Sequence, residues 1–221
     1  MSRISCKVGE VELNSPIILA SGTCNFGHEL SEFYDLSILG GISSKGLTIK
    51  PRQGNPGVRV AETACGMLNS VGLQNPGVDY FIENDLDYMN TLGTKVIVNV
   101  AGHSFDDYLD MVKKLNKYAD KIDALEINLS CPNVKAGCMS VGSDASQVKE
   151  IVSLMRKETN LPLWIKLTPN VTDIKSIALA AQEGGADAVV MINTLLGMVI
   201  DIKTRRPILR NNTGGYSGPA V

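Results

Sequence analysis

The sequence has little that would bind a polyanion. No basic run is longer than a pair such as Arg205-Arg206, and 21 Lys and Arg against 23 Asp and Glu leave a formal net charge of -2. A nucleic-acid partner, which needs a basic stripe, is not expected. No unbroken apolar stretch reaches the roughly 18 residues of a membrane span, so no membrane partner is expected either. The opening MSRISCKVGEVELN lacks the apolar centre of a signal peptide, which points to the cytoplasm. The five cysteines are odd in number, scattered, and form no CxxC pair, which argues against a disulfide framework or a structural zinc site. Reduced thiols and no bound metal are expected. No strand is followed by GxGxxG, so a dinucleotide-binding turn is missing. Low-complexity tracts and charge blocks are missing too.

What is present is an ordinary α/β composition, with 44% hydrophobic and 20% charged residues. The length suits a single domain spanning 1–221. Short, nearly continuous apolar runs at 16–20, 41–44, 95–100, 122–128, 163–167 and 187–192 read as strands buried on both faces of a parallel sheet. Amphipathic segments lie between them. Ser104 caps a helix whose apolar face is Tyr108, Met111, Val112, Leu115 and Ala119. Asp144 with Gln147 resembles a capping box ahead of Val148, Ile151, Val152 and Met155. Thr172 is placed to cap a third helix, which Gly184-Gly185 ends. The stretch 48–77, with three prolines and several glycines, reads as a long irregular loop covering a site.

A doubly wound sheet and a TIM (β/α)8 barrel both accommodate this alternation. Polar residues end nearly every strand candidate: Ser21, Lys45, Asn99, Asn128, Lys166 and Asn193. A barrel places its site residues in this way, at the carboxyl ends of many strands. The expected fold is therefore an incomplete barrel, with about six βα units present and the last two missing.

Chemistry concentrates in a few segments. In INLSCPNVK (127–135), Pro132 biases Cys131 away from helix, which sets a thiol on an extended segment after a strand. A thiol of ordinary acidity can take a proton where its thiolate is favoured, although a lone cysteine is more often a small core residue. Lys166 sits inside an apolar strand. It is either a cation facing the barrel mouth or an edge charge that discourages aggregation. Lys45 poses the same question. MLNSVGLQNPG (67–77) offers amides, a hydroxyl and backbone N–H groups to a small planar ligand, or is a plain structured loop. Asn193-Thr194 supplies donors and acceptors, or is an ordinary turn. Ser21-Gly22 and Ser217-Gly218 leave room for the close approach of a flat ligand.

Together ASGT (20–23), SKGLT (44–48), NSVGLQNPG (69–77), VNVAG (98–102), INLSCPNVK, IKLTPN (165–170), IN-T (192–194) and GGYSGP (214–219) resemble the class 1 dihydroorotate dehydrogenases. The motifs are collinear and cover essentially the whole chain. The resemblance implies a barrel holding FMN across its carboxyl face. Cys131 would be the base that removes the C5 proton of dihydroorotate while C6 gives a hydride to the flavin. Ser21, Lys45, Gly46, Asn99, Asn128, Lys166, Ile192 and Gly218 match cofactor contacts. Lys45, Asn69, Ser70, Val71, Gly72, Leu73, Asn128, Asn193 and Thr194 match substrate contacts. Lys166 would stabilise negative charge on the reduced ring. The cysteine base points to the soluble class rather than the membrane-bound one, which uses serine.

NSVGLQNPG and NVKAG are most similar to the NAD-linked 1B type. That type pairs with an electron-transfer subunit carrying FAD and a 2Fe-2S cluster, around a homodimer core in a heterotetramer. The family continues past GGYSG into two further βα units that bind the FMN phosphate. Weak FMN binding by this chain alone is therefore expected. The competing readings are the fumarate-linked 1A type, a dihydropyrimidine dehydrogenase-like domain, and an inactive barrel fragment.

Overall fold

A computed structural model of the protein describes residues 4–130 and 141–219. Six strands form one parallel sheet: β1 (Ile18–Leu19), β2 (Gly41–Ser43), β3 (Lys95–Ala101), β4 (Ala124–Asn128), β5 (Leu163–Lys166) and β6 (Ala188–Val190). Their spatial order is their chain order, and every pairing is parallel. A doubly wound sheet must reverse its strand order at a switch point. This sheet never reverses, so it is the wall of a (β/α) barrel. All six expected strands occur; β3 is one residue longer than expected and the others are one to three residues shorter.

The helices are α1 (His28–Ser31), α2 (Val78–Asn84), α3 (Leu86–Thr91), α4 (Phe105–Leu115), α5 (Ala145–Glu158) and α6 (Ile174–Glu183). Ser104 caps α4 by accepting from Asp107 N–H. Asp144 caps α5 by accepting from the N–H groups of Ser146 and Gln147. The cap of α6 is Asp173 rather than Thr172, because its carboxylate accepts from the N–H groups of Lys175 and Ser176, two and three residues further on. Gly184 and Gly185 end α6 as expected, with Gly185 at φ +100°.

Alternation along the strands separates two cores. Val96, Val98, Val100, Leu125, Ile127, Leu163 and Ile165 face outward and pack on the helices in the larger cluster. Ile97, Ala124 and Trp164 face inward and meet Val11 and Leu13. Those last two belong to a hairpin, Cys6–Val8 paired with Val11–Leu13, that plugs the amino end of the barrel.

The stretch 48–77 is not the irregular loop its prolines suggest. It contains the antiparallel strands Val60–Thr63 and Gly66–Asn69, which join Gly214–Ser217 and Leu195–Gly197 in a four-stranded sheet. Leu68 and Ala61 bury one face of it against Leu209. Short strands at this composition leave only two to four alternating residues each, too few for the pattern to declare itself.

Candidate active site at the carboxyl ends of the strands

The carboxyl ends of β2 to β5 are stitched together by polar side chains. Ser21 donates to Ser44 O at 2.7 Å, which ties the end of β1 to the end of β2. The Ser44 hydroxyl accepts from Asn99 N–H at 3.0 Å, and Leu47 N–H donates to Asn99 O. Asn99 on β3 stands opposite Glu126 on β4, and its amide donates to Glu126 Oε1 at 2.5 Å. Lys166 on β5 reaches the same oxygen at 3.4 Å. All three residues are buried, with 0%, 3% and 7% of their surfaces exposed. β5 is flanked by β4 and β6, so the edge-charge reading of Lys166 is overturned. Lys166 is an interior cation with a carboxylate partner.

One step further out, Asn128 Oδ1 accepts from Asn193 Nδ2 at 3.1 Å and from Ser130 N–H at 3.2 Å. The Tyr108 hydroxyl fixes the backbone there by donating to Asn128 O at 2.7 Å. Asn193 Oδ1 accepts from Thr194 N–H, and Thr194 O accepts from Asn170 Nδ2. A Cβ at Gly215 would lie 2.0 Å from Thr194 Oγ1, so only glycine lets that strand pass. Gly215 pairs with Asn69, whose amide donates to Gly215 O. The antiparallel sheet thereby sets Asn69 across Gly215 from Thr194.

The segment after Asn69 is pinned to the end of β2. Asn75 is buried, and every polar atom of its side chain is used. Its oxygen accepts from the N–H groups of Thr48 and Gly77, while its nitrogen donates to Leu73 O and Thr48 Oγ1. Leu73 adopts φ +56° and lies against Gly46, where an added Cβ would sit 3.0 Å from Leu73 Cδ1 and 2.8 Å from Asn99 Oδ1. Ser70, Val71 and Gly72 run between these anchors. Asn55 holds them by donating to Ser70 O and, through its own N–H, to Val71 O.

A cleft of about 680 Å³ opens beside Lys45, walled by Gly22, Asn25, Arg52, Val71 and Asn75. Burial, and secondarily the Arg59 guanidinium, holds the Lys45 ammonium below the usual lysine range. Ile192 follows β6 and is half-buried. Gly218 lies at the far end of the antiparallel sheet, against the backbone of Cys65 and Gly66. Cys131 lies outside the described residues.

The structure therefore gathers Ser21, Gly46, Asn99, Asn128, Lys166, Asn69, Leu73, Asn193 and Thr194 into one connected set. Glu126 was not expected. The signal available was a carboxylate inside an apolar strand, two residues before Asn128 and so on the same face. Asn75, Asn55 and Tyr108 were missed as well, since their roles are in tertiary contacts.

A singly wound parallel sheet with its polar groups gathered at the carboxyl ends defines a β/α-barrel enzyme of the type that works at that face. The family model for dihydroorotate dehydrogenase matches residues 3–221. The chain is 53% identical over 223 residues to a protein of Alkaliphilus metalliredigens named dihydroorotate dehydrogenase B (NAD(+)), catalytic subunit, covering all of this chain and 73% of that protein. Proteins of the same name from Bacteroides thetaiotaomicron and Listeria welshimeri are 49% and 46% identical, again over all of this chain and 73% and 72% of theirs. A crystal structure of DHODH from Eimeria tenella, in complex with ferulenol, superposes with a TM-score of 0.74 at 22% identity, over 99% of this chain and 66% of that one. The chain belongs to the dihydroorotate dehydrogenase family.

Proposed function

We propose that the chain binds FMN at the carboxyl face of its barrel and oxidises dihydroorotate to orotate in pyrimidine biosynthesis, acting as one FMN-binding domain over 1–221. Family membership supports the reaction. The observation that carries the cofactor is the buried cluster of Asn99, Glu126 and Lys166, because it holds an acceptor with nothing to bond. Asn99 Oδ1 is buried without a partner, as is Ser43 Oγ on β2. Buried polar atoms are normally satisfied, so these two mark places for a ligand. Asn99 Oδ1 would accept from an isoalloxazine imide N–H, Lys166 Nζ would donate to a ring carbonyl, and Gly46 would leave room for the flat ring.

When bound, FMN supplies an acceptor for the hydride leaving C6 of dihydroorotate. The chain's own groups do the rest. Cys131, as thiolate, takes the C5 proton, so that the C5–H and C6–H bonds break to leave the C5=C6 double bond of orotate. Lys45 answers the substrate carboxylate. Asn69, Ser70, Val71, Gly72, Leu73, Asn128, Asn193 and Thr194 hold the pyrimidine edges. Lys166 offers fixed positive charge where electron density accumulates. Ser21, Lys45, Gly46, Asn99, Asn128, Ile192 and Gly218 complete the cofactor's surroundings.

The names of the relatives support an NAD-linked enzyme with a second subunit. We place FAD and a 2Fe-2S cluster on that subunit, with a homodimer of this chain at the core of a heterotetramer in the cytoplasm. Among the described residues no helix is long and apolar enough to cross a membrane.

The test is a titration of the purified chain with FMN, followed by orotate and by uracil. Orotate is expected to perturb the visible flavin spectrum and uracil to leave it nearly unchanged, because only orotate carries the carboxylate that Lys45 answers. Equal perturbation by both would favour a dihydropyrimidine dehydrogenase-like specificity. No flavin uptake at saturating FMN would overturn the proposal.

A further inference from the structure

Glu126 belongs to none of the groups that would touch substrate or cofactor, yet it is a carboxylate buried in the barrel interior. A carboxylate with 3% of its surface exposed is kept there only if its partners compensate for lost hydration. It has two, and both use the same oxygen: Asn99 Nδ2 at 2.5 Å and Lys166 Nζ at 3.4 Å. The partners come from the strands on either side, β3 and β5, so one carboxylate spans the centre of the wall.

This geometry fixes two things. An amide can turn about its last bond, presenting either oxygen or nitrogen to a ligand. Because Glu126 accepts the hydrogen of Asn99 Nδ2, the Asn99 atom left over is Oδ1, which is buried and unpartnered. Gly46 lets the backbone pass close to that oxygen, since a Cβ there would stand 2.8 Å from it. Lys166, for its part, gains a counter-charge in a place where an unpaired ammonium would be costly.

Resting on the flavin reading above, we propose that Glu126 is a positioning residue for the cofactor. It sets Asn99 as an acceptor facing the flavin's imide N–H, and it offsets part of the positive charge that Lys166 brings to the reduced ring. Glu126 touches neither reactant. It acts through the two residues that do.

Both effects are open to test with Glu126→Gln, Lys166→Met and the double variant. In the flavin-free chain, thermal unfolding of the four proteins reads the coupling. Glu126→Gln is expected to lower the Tm, and adding Lys166→Met to recover much of the loss, because the second change removes the charge left unpaired. Additive losses would overturn the pairing. In the FMN-loaded chain, Glu126→Gln is expected to weaken FMN binding about tenfold, the equivalent of one misaligned hydrogen bond.

It is also expected to raise the flavin midpoint potential, because removing a negative charge favours the electron-rich ring. Lys166→Met should lower the potential, and the double variant should fall between. A merely structural glutamate would change the Tm without moving the potential in opposite directions for the two partners. An unchanged or lowered potential in Glu126→Gln would overturn the positioning role. Failure of the parent chain to take up FMN would sink the flavin reading and the positioning role with it, while the unfolding cycle, which needs no flavin, would still decide the pairing.

Discussion

Lys45 shows how one side chain can carry a pH dependence of its own. Burial first, and the neighbouring Arg59 second, disfavour its charged form. In the window between its lowered folded value and the ordinary lysine value, the unfolded chain holds more protons than the folded one, so stability rises with pH there. Binding runs the other way. An anionic ligand loses its cation as Lys45 deprotonates, so orotate affinity should decline at a lower pH than an ordinary lysine would allow. Arg59→Ala should shift that decline to higher pH, read as orotate Kd from flavin spectra across an alkaline series. A decline that stays put in the variant would remove Lys45 as the titrating group. Single residues were the most legible part of the sequence. Lys166 and Asn99 stood out because polar groups inside apolar strands demand an explanation. Glu126 went unremarked beside the more conspicuous Asn128, although it is the group that explains both. Asn75 could not have been ranked above the other asparagines of its segment, because its bonds to Thr48 span 27 positions of the chain.

Helices and strands were legible in proportion to their length. α4, α5 and β3 announce themselves through caps or long apolar runs, and each lies close to where the sequence puts it. α6 was found with its cap misassigned, since Thr172 and Asp173 are adjacent and both are capping types. The two assignments make different forecasts. Asp173→Ala should cost about 1 kcal/mol in urea unfolding, whereas Thr172→Ala should stay within about 0.5 kcal/mol. The reverse order would restore Thr172 as the cap. The short α2 and α3 and the antiparallel sheet were not read in advance. Their turns hold glycines at positive φ, such as Gly72 and Gly77, and a proline- and glycine-rich stretch looks like a loop until its tertiary partners arrive.

At the scale of the molecule, the sheet separates a helix-packed outer core from a small inner one, and the site sits above the inner core. The sole tryptophan, Trp164, is buried in that inner core with Leu13 of the hairpin plug, and lies two residues before Lys166 on β5. Leu13→Ala should therefore cost about 2–5 kcal/mol and shift Trp164 emission to the red as water reaches the plug. Unshifted emission would mean that the hairpin does not seal the barrel floor. The barrel itself was legible from polar strand ends alone, because that pattern is a whole-molecule property written at many positions. Cys131 lies outside the described residues, and its chemistry is tested in solution. The most direct measurement is anaerobic mixing of the FMN-loaded chain with dihydroorotate, followed as bleaching of the flavin. The parent should bleach, and Cys131→Ala should bleach slower by a factor on the order of 10² to 10⁴, the usual contribution of a general base. Equal rates in the two proteins would contradict the account.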